Sequence, residues 1–340
     1  MSTPTASPPQ AATATIWVGP QSEAVAALPS GVTPFLAIRY GGGDLALPCP
    51  VLDIPNAVLS GEPWLELWCA EGPVETCRRG RFEIAQAGDL LIAGGHWPLD
   101  GDLRAETHAL YRELLGLAAE QGRPGLLRLW NYLPGINDDQ AGLERYRLFN
   151  AGRAAAFVER FAGQAEGRFC ASSAVGAPGR DLVTLLLCGR DEGHHLENPR
   201  QLPAWRYPST YGPVSPSFAR ATVAPSSSSN LAGAVLVSGT ASIVGHESRH
   251  HDDLLAQLDE TLANLSAILE RANAERRRAP RPGGRLADLD FVKVYLRHAG
   301  DLEPVRRRLA ARLRPEVPVL WLQAEICRAE LLLEIEGVAF

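Results

Sequence analysis

The same order of local patterns runs through this chain twice, and that order constrains the fold more than any other feature. In the first half, alternating runs at Trp64–Cys69, Arg81–Ala85 and Leu90–Ala93 predict strands. A helix is predicted over Leu103–Gln121, where Leu110, Leu114, Leu115 and Ala118 share a face. Next come a strand at Leu126–Tyr132, a helix at Leu143–Ala162 carrying Tyr146, Phe149, Ala156 and Phe157 at helical spacing, and strands near Phe169–Ala174 and Leu182–Cys188. The second half repeats the order. It has a strand region at Ala234–Val244, a long amphipathic helix at His250–Arg271 and a strand at Phe291–Leu296. An Arg-rich helix at Leu302–Leu313 follows, then Val317–Ile326 and Leu331–Ala339 as a final strand pair. Residue-level identity between the halves is not evident, so duplication is inferred from element order.

Composition narrows the classes of function. Apolar residues make up 46% of the 340 residues and charged residues 21%, a balance that supports packed cores and excludes extensive disorder. No run of 18 apolar residues occurs, which argues against a membrane span. A formal net charge of −6 is a poor footprint for nucleic acid. Six cysteines at 49, 69, 77, 170, 188 and 327 form no C-x-x-C pair, and the first residues lack the pattern of a signal peptide. The expectation is a reduced, cytoplasmic protein whose thiols are mostly small buried hydrophobes. Lys293 is the only lysine; the other 32 basic residues are arginines, a bias that a GC-rich coding sequence accounts for. A few of those arginines can still serve as carboxylate clamps, because the planar fork binds a carboxylate bidentately.

The expected organisation is a disordered lead-in over residues 1–15, an N-terminal half over 16–190, a connecting segment over 191–229 and a C-terminal half over 230–340. The connector is rich in proline but also carries Trp205, Tyr207, Tyr211, Phe218 and Arg220. Those residues argue for an ordered segment packed over something.

His246-Glu247-Ser248-Arg249-His250 matches H-E-x-x-H letter for letter. Zinc binding by that motif needs both histidines on one helical face. Here the preceding SGTASIVG reads as a strand ending in glycine, and Ser248 reads as the helix N-cap. His246 then falls outside the helix, and no metal is expected. Glu334 is a more informative carboxylate. It follows three leucines in a strand and shares a face with Leu332 and Glu336. A glutamate there is paired with an arginine, faces solvent, or sits in a site that raises its pKa.

The second half, from VLVSGTASIVGHES through DFVKVYLRHAGDLEPVRRRL to the terminal LLLEIEGVAF, resembles the RidA/YjgF-type fold, which forms trimers. WNYLPGIN, ERYRLFNAGRAAAF, ENPRQLPAWRYPSTYGPVSPSFARA and SGTASIVGHES together resemble the chorismatase family, over roughly residues 60–340. The resemblance implies an α+β fold of two pseudo-repeated RidA/YjgF-like (chorismate-mutase-like) halves, with mixed sheets and helices on one face. It also implies action on chorismate without a cofactor. Arg153 and Arg220 are implied as clamps for the two substrate carboxylates, with Tyr146 and Tyr211 as accompanying hydroxyl donors. Glu334 is implied as the acid that protonates the enol ether, with Glu336 as the next candidate. Gly239 and Ala241 are expected to line the ring. The family includes hydrolytic members, which give a dihydroxycyclohexadiene carboxylate and pyruvate, and members that give 3-hydroxybenzoate and pyruvate. Cys327 is implied to mark the second type. A monomer is expected, because tandem halves can bury internally the surfaces that a single-domain relative uses for trimer formation. The competing readings are a chorismate hydrolase, a non-catalytic RidA-like binding module and a zinc hydrolase.

Overall fold

The structure, a computed structural model, describes residues 15–24, 31–228, 231–277 and 285–340. The expected lead-in lies outside them up to residue 14. Among the described residues there are two two-stranded ladders, Asp139–Gln140 with Leu143–Glu144 and Ile243–Val244 with Glu247–Ser248, and three larger sheets. The first holds β1 (Thr15–Pro20), β2 (Thr33–Tyr40), β3 (Val51–Ile54) and β4 (Trp64–Ala70) in the order β1-β4-β2-β3. The second holds β5 (Val74–Arg79), β6 (Phe82–Ala87), β7 (Leu90–Pro98), β8 (Gly125–Pro134), β9 (Ala171–Ala177) and β10 (Asp181–Gly189). Its order is β9-β8-β10-β7-β6-β5. The third holds β11 (His194–Leu196), β12 (Ala221–Val223), β13 (Val235–Thr240), β14 (Phe291–Leu296), β15 (Val319–Gln323) and β16 (Leu333–Ala339). Its order is β11-β12-β13-β16-β14-β15.

Reading the third sheet from its other edge gives the order of the second, strand for strand. Both have one parallel pair, β8 with β9 and β14 with β15, and antiparallel neighbours elsewhere. Helices α1 (Leu103–Glu120) and α2 (Arg145–Phe161) occupy the same places in the chain as α3 (Leu254–Arg276) and α4 (Leu302–Ala310). The expected α+β pseudo-repeat is therefore present. The first sheet extends it. Its β2 and β3 pair in parallel, and β4 pairs antiparallel with both β2 and β1. That is the arrangement of β14, β15, β16 and β13, so the chain carries a third, reduced copy of the repeat.

Strand alternation explains how the copies assemble. In β4, Leu65, Leu67 and Cys69 face outward under Leu45 and Leu47, while Trp68 faces inward. In β14, Val292, Val294 and Leu296 face the helices, while Phe291 and Tyr295 face inward. The inward faces of all three sheets share one core that contains Phe35, Trp68, Trp130, Val183, Leu236 and Tyr295. Tyr40, Tyr132 and Tyr295 hold corresponding positions and meet there, with Oη–Oη distances of 3.5 and 3.3 Å. Among the described residues, no helix is long and apolar enough to cross a membrane.

Several expectations are corrected. Trp64–Cys69 is a strand, but of the first sheet. The last two strands do not pair: β14 lies between β15 and β16, because β15 pairs in parallel with β14 and the other edge of β14 is taken by β16. Two short strands inside the expected connector, β11 and β12, complete the third sheet. Ser248 is not an N-cap. It pairs in a short ladder with Ile243, and Asp253 caps α3 by accepting from Ala256 N at 3.0 Å. Three of the six cysteines are buried, Cys69, Cys170 and Cys188.

Candidate active site

A cavity of about 490 Å³ opens where the edge strand β9 of the second sheet meets β13 and β16 of the third. The two sheets are stitched there by Ser238 Oγ, which accepts from Ser172 N at 2.9 Å, and by Ser173 Oγ, which accepts from Gly239 N at 2.9 Å. Helix α2 supplies Tyr146 and Arg153, the proline-rich segment supplies Tyr211 and Arg220, β13 and the turn after it supply Gly239 and Ala241, and the final stretch supplies Cys327 and Glu334. All eight residues expected in the site line this one cavity.

Arg153 is buried beside the Phe149 ring and donates to Ser172 Oγ at 3.2 Å. No carboxylate lies within ion-pair distance of it among the described residues, and its Nε is buried without a hydrogen-bond partner. Arg220 is also buried. Its Nη2 donates to Tyr207 Oη at 2.6 Å and Leu202 O at 3.0 Å, and its Nε stands 4.0 Å from Glu197 Oε2. Burial pushes the Glu197 carboxyl up to about 7, against the pull of Arg220. Two buried guanidiniums with so little anionic compensation make a strong anion site.

Glu334 is buried at 4% exposure and makes no hydrogen bond or ion pair among the described residues. Burial, then the negative charge of Glu336, pushes its pKa up to about 8. It therefore holds a proton at neutral pH, as a general acid must. Its carboxyl rests against the Gly239 backbone so closely that a Cβ built there would lie 1.8 Å from Glu334 Oε1. Glycine at 239 is thus a condition for the acid's placement. Burial and the Glu334 charge push the Cys327 thiol up to about 12, so it lines the cavity as a neutral S–H and not as a thiolate. Burial likewise raises Tyr146 and keeps its hydroxyl protonated.

Glu336, the next candidate for the acid, sits among cations. Lys293 lies 3.1 Å from it and Arg128 2.8 Å. Burial opposes its charge, but these cations outweigh burial and hold its carboxyl below the usual range. Lys293 also reaches Glu66 of the first sheet at 2.7 Å. This buried network was not anticipated, although a basic residue inside each of the apolar strands LLRLWNYL and FVKVYL signals it. Tyr207 and Arg328 were also unanticipated as site residues. The Arg328 guanidinium stacks 4.0 Å from the centre of the Tyr211 ring. The two histidines of HESRH make separate contacts. His246 Nδ1 is 3.4 Å from Tyr211 Oη, and His250 Nε2 is 3.2 Å from Glu260.

The repeat shows how this cleft differs from the corresponding places in the other copies. Glu334 pairs across the strands with Tyr295, Val183 with Tyr132 and Trp64 with Tyr40. The position of the acid is therefore valine in the second sheet and tryptophan in the first. The edge of β15 that corresponds to the site-forming edge of β9 is covered by residues 57–59, through Leu59 N to Trp321 O and Gln323 N to Ala57 O, both 2.9 Å.

Fold and site together define a class: an α+β protein of tandem repeats in which one cavity brings together a buried carboxyl and two buried guanidiniums. Residues 66–188 match the family model "Chorismatase FkbO/Hyg5-like, N-terminal". A 3-hydroxybenzoate synthase from Streptomyces hygroscopicus is 36% identical over 85% of this chain and 85% of its own length. A chorismatase from Streptomyces rapamycinicus is 39% identical over 88% of this chain and 89% of its own. A chorismatase crystal structure superposes with a TM-score of 0.84 and 33% identity, covering 96% of this chain and 98% of that one. The chain belongs to the chorismatase family.

Proposed function

We propose that this chain converts chorismate to 3-hydroxybenzoate and pyruvate. The observation that carries the proposal is the placement of one buried, unpartnered glutamate, Glu334, in the same cavity as two buried arginines, Arg153 and Arg220. Chorismate carries a ring carboxylate and an enolpyruvyl carboxylate, one for each guanidinium. Tyr146 and Tyr211 supply hydroxyls beside them. In the proposed reaction Glu334 gives its proton to the enol ether methylene, the resulting oxocarbenium-like centre weakens the ether C–O bond, and pyruvate departs. The 4-hydroxyl of the substrate attacks the ring carbon as the ether oxygen leaves it, its proton returns to the Glu334 carboxylate, and the arene oxide so formed rearomatises to 3-hydroxybenzoate. The two products together have the atoms of chorismate, so no net water enters.

Cys327 supports this product over the hydrolytic one. A neutral thiol on the cavity wall keeps water away from the ring yet donates and accepts weakly during rearomatisation. The 3-hydroxybenzoate synthase among the relatives points the same way. The test is the product of chorismate turnover, separated by chromatography, for the wild type and for Cys327→Ala. Wild type is expected to yield 3-hydroxybenzoate, and the variant a mixture shifted towards the dihydroxy diene while chorismate is still consumed. Diene alone from the wild type would place the chain with the hydrolases, and an unchanged ratio in the variant would remove Cys327 from product control.

A further inference from the structure

Glu334 and Glu336 stand two residues apart on one face of β16, yet their surroundings are opposite. Glu334 has no polar partner among the described residues. Glu336 receives four donors: Ser173 Oγ, Arg128 Nη2 at 2.8 Å, Trp130 Nε1 at 2.9 Å and Lys293 Nζ at 3.1 Å. The hydroxyl of Ser173 is fully committed. Its oxygen accepts from Arg128 Nη2 at 2.6 Å and from Gly239 N at 2.9 Å. A hydroxyl has two acceptor sites and one proton. With both sites taken by N–H donors, the one proton is left for Glu336, whose Oε2 accepts from Ser173 and Arg128 and whose Oε1 accepts from Trp130 and Lys293, so neither oxygen has room for a proton of its own. Gly239, held by this chain, is the residue whose backbone forms the seat of Glu334.

We propose that Glu336 and Ser173 are positioning residues for the acid: Glu336 supplies a fixed anion beside Glu334, and Ser173 links that anion to the Gly239 backbone on which the Glu334 carboxyl rests. The inference rests on Glu334 being the proton donor. It gives the pair of glutamates distinct jobs on one strand, one held charged and one held protonated, as is required of two carboxyls whose environments push their proton affinities apart. The other groups facing Glu334 are Arg128 from β8, Tyr146 and Arg153 from α2, Arg220 from the proline-rich segment, Cys327 from the preceding loop and Tyr295 across on β14. Arg128 and Arg220 favour the charged form of Glu334; burial and Glu336 oppose it and prevail.

The acid works protonated, so turnover falls as pH rises through the Glu334 titration. Glu336→Gln removes the nearby anion and leaves Arg128 and Lys293 less compensated. Both changes favour ionised Glu334, so the alkaline limb of kcat/KM for chorismate is expected to move to lower pH by at least about one unit. Ser173→Ala changes no charge and only cuts the link to Gly239. Its kcat is expected to fall by about tenfold or more, with KM little changed and the limb in place. Glu334→Gln is measured beside them and should be inactive at every pH. If folded Glu336→Gln keeps the wild-type limb, or Ser173→Ala keeps the wild-type kcat, the positioning proposal fails while the acid stands. If Glu336→Gln does not fold, Ser173→Ala decides alone. An active Glu334→Gln overturns the reading of the acid itself.

Discussion

Arg153 and Arg220 bring their charges into the cavity by different routes. Arg153 lies along the Phe149 ring with only Ser172 as a hydrogen-bonded neighbour in the cavity wall, whereas Arg220 is oriented by Tyr207 and the Leu202 carbonyl. With each guanidinium clamping one substrate carboxylate, as proposed, removing either leaves that carboxylate unmatched in a desolvated site, at a cost of about 2–5 kcal/mol. Arg153→Ala and Arg220→Ala are each expected to lower kcat/KM for chorismate accordingly, mainly through KM, and steady-state kinetics check this. Unchanged kinetics in one variant would remove that arginine from substrate capture. At this scale the line of residues was legible only through long sequence blocks resembling a family. Arg153 within NAGRAAAF has no local feature that distinguishes it from the other arginines. The support around Glu334 was harder still. Arg128 and Glu336 are separated by 208 positions, so neither shows its partner until the sheets are assembled.

The site depends on two strands from one sheet, β13 and β16, and on an edge strand from another, β9. Because β13 comes so close to the acid, Gly239→Ala must displace the Glu334 carboxyl or part the strands. A misplacement of about 1 Å can cost roughly 10²-fold in rate. Gly239→Ala is therefore expected to keep its fold by circular dichroism and lose about 10²-fold in kcat; near-native turnover would show that the acid is not seated on Gly239. Elements with a strong period were read well from the residues. Phe291–Leu296 has the bounds expected, and α1 differs by one residue at its end. What escaped was set by tertiary structure. β5, Val-Glu-Thr-Cys-Arg-Arg, is an exposed edge strand with no apolar alternation to betray it. β11 and β12 are three residues each and sit among prolines. The placement of β14 between β15 and β16 follows from a parallel pair, which no local pattern encodes.

At the scale of the whole molecule, three copies of one repeat enclose a common core. Charged residues from all three sheets meet inside it: Glu66 from the first, Arg128 from the second, Lys293 and Glu336 from the third. Truncating one member of such a buried network typically costs about 3–5 kcal/mol, so these residues also tie the copies together. The inward faces of the three sheets are covered within one chain, and sedimentation is expected to give a single species near 36.6 kDa. A dimer or trimer mass would contradict that. The reduced first copy was not foreseen, since its strands TIWVGP, TPFLAIRY and VLDI carry no helices between β2 and β3 to mark the period. Of the three corresponding strand positions, one carries a carboxyl, Glu334, where the other copies have Val183 and Trp64. The most direct measurement is pyruvate release from chorismate by wild type and Glu334→Gln, with circular dichroism and substrate affinity recorded for both. An unchanged fold, retained chorismate binding and a loss of turnover of about 10²-fold or more are expected. Near-native pyruvate release by Glu334→Gln would contradict the role of Glu334 as the acid.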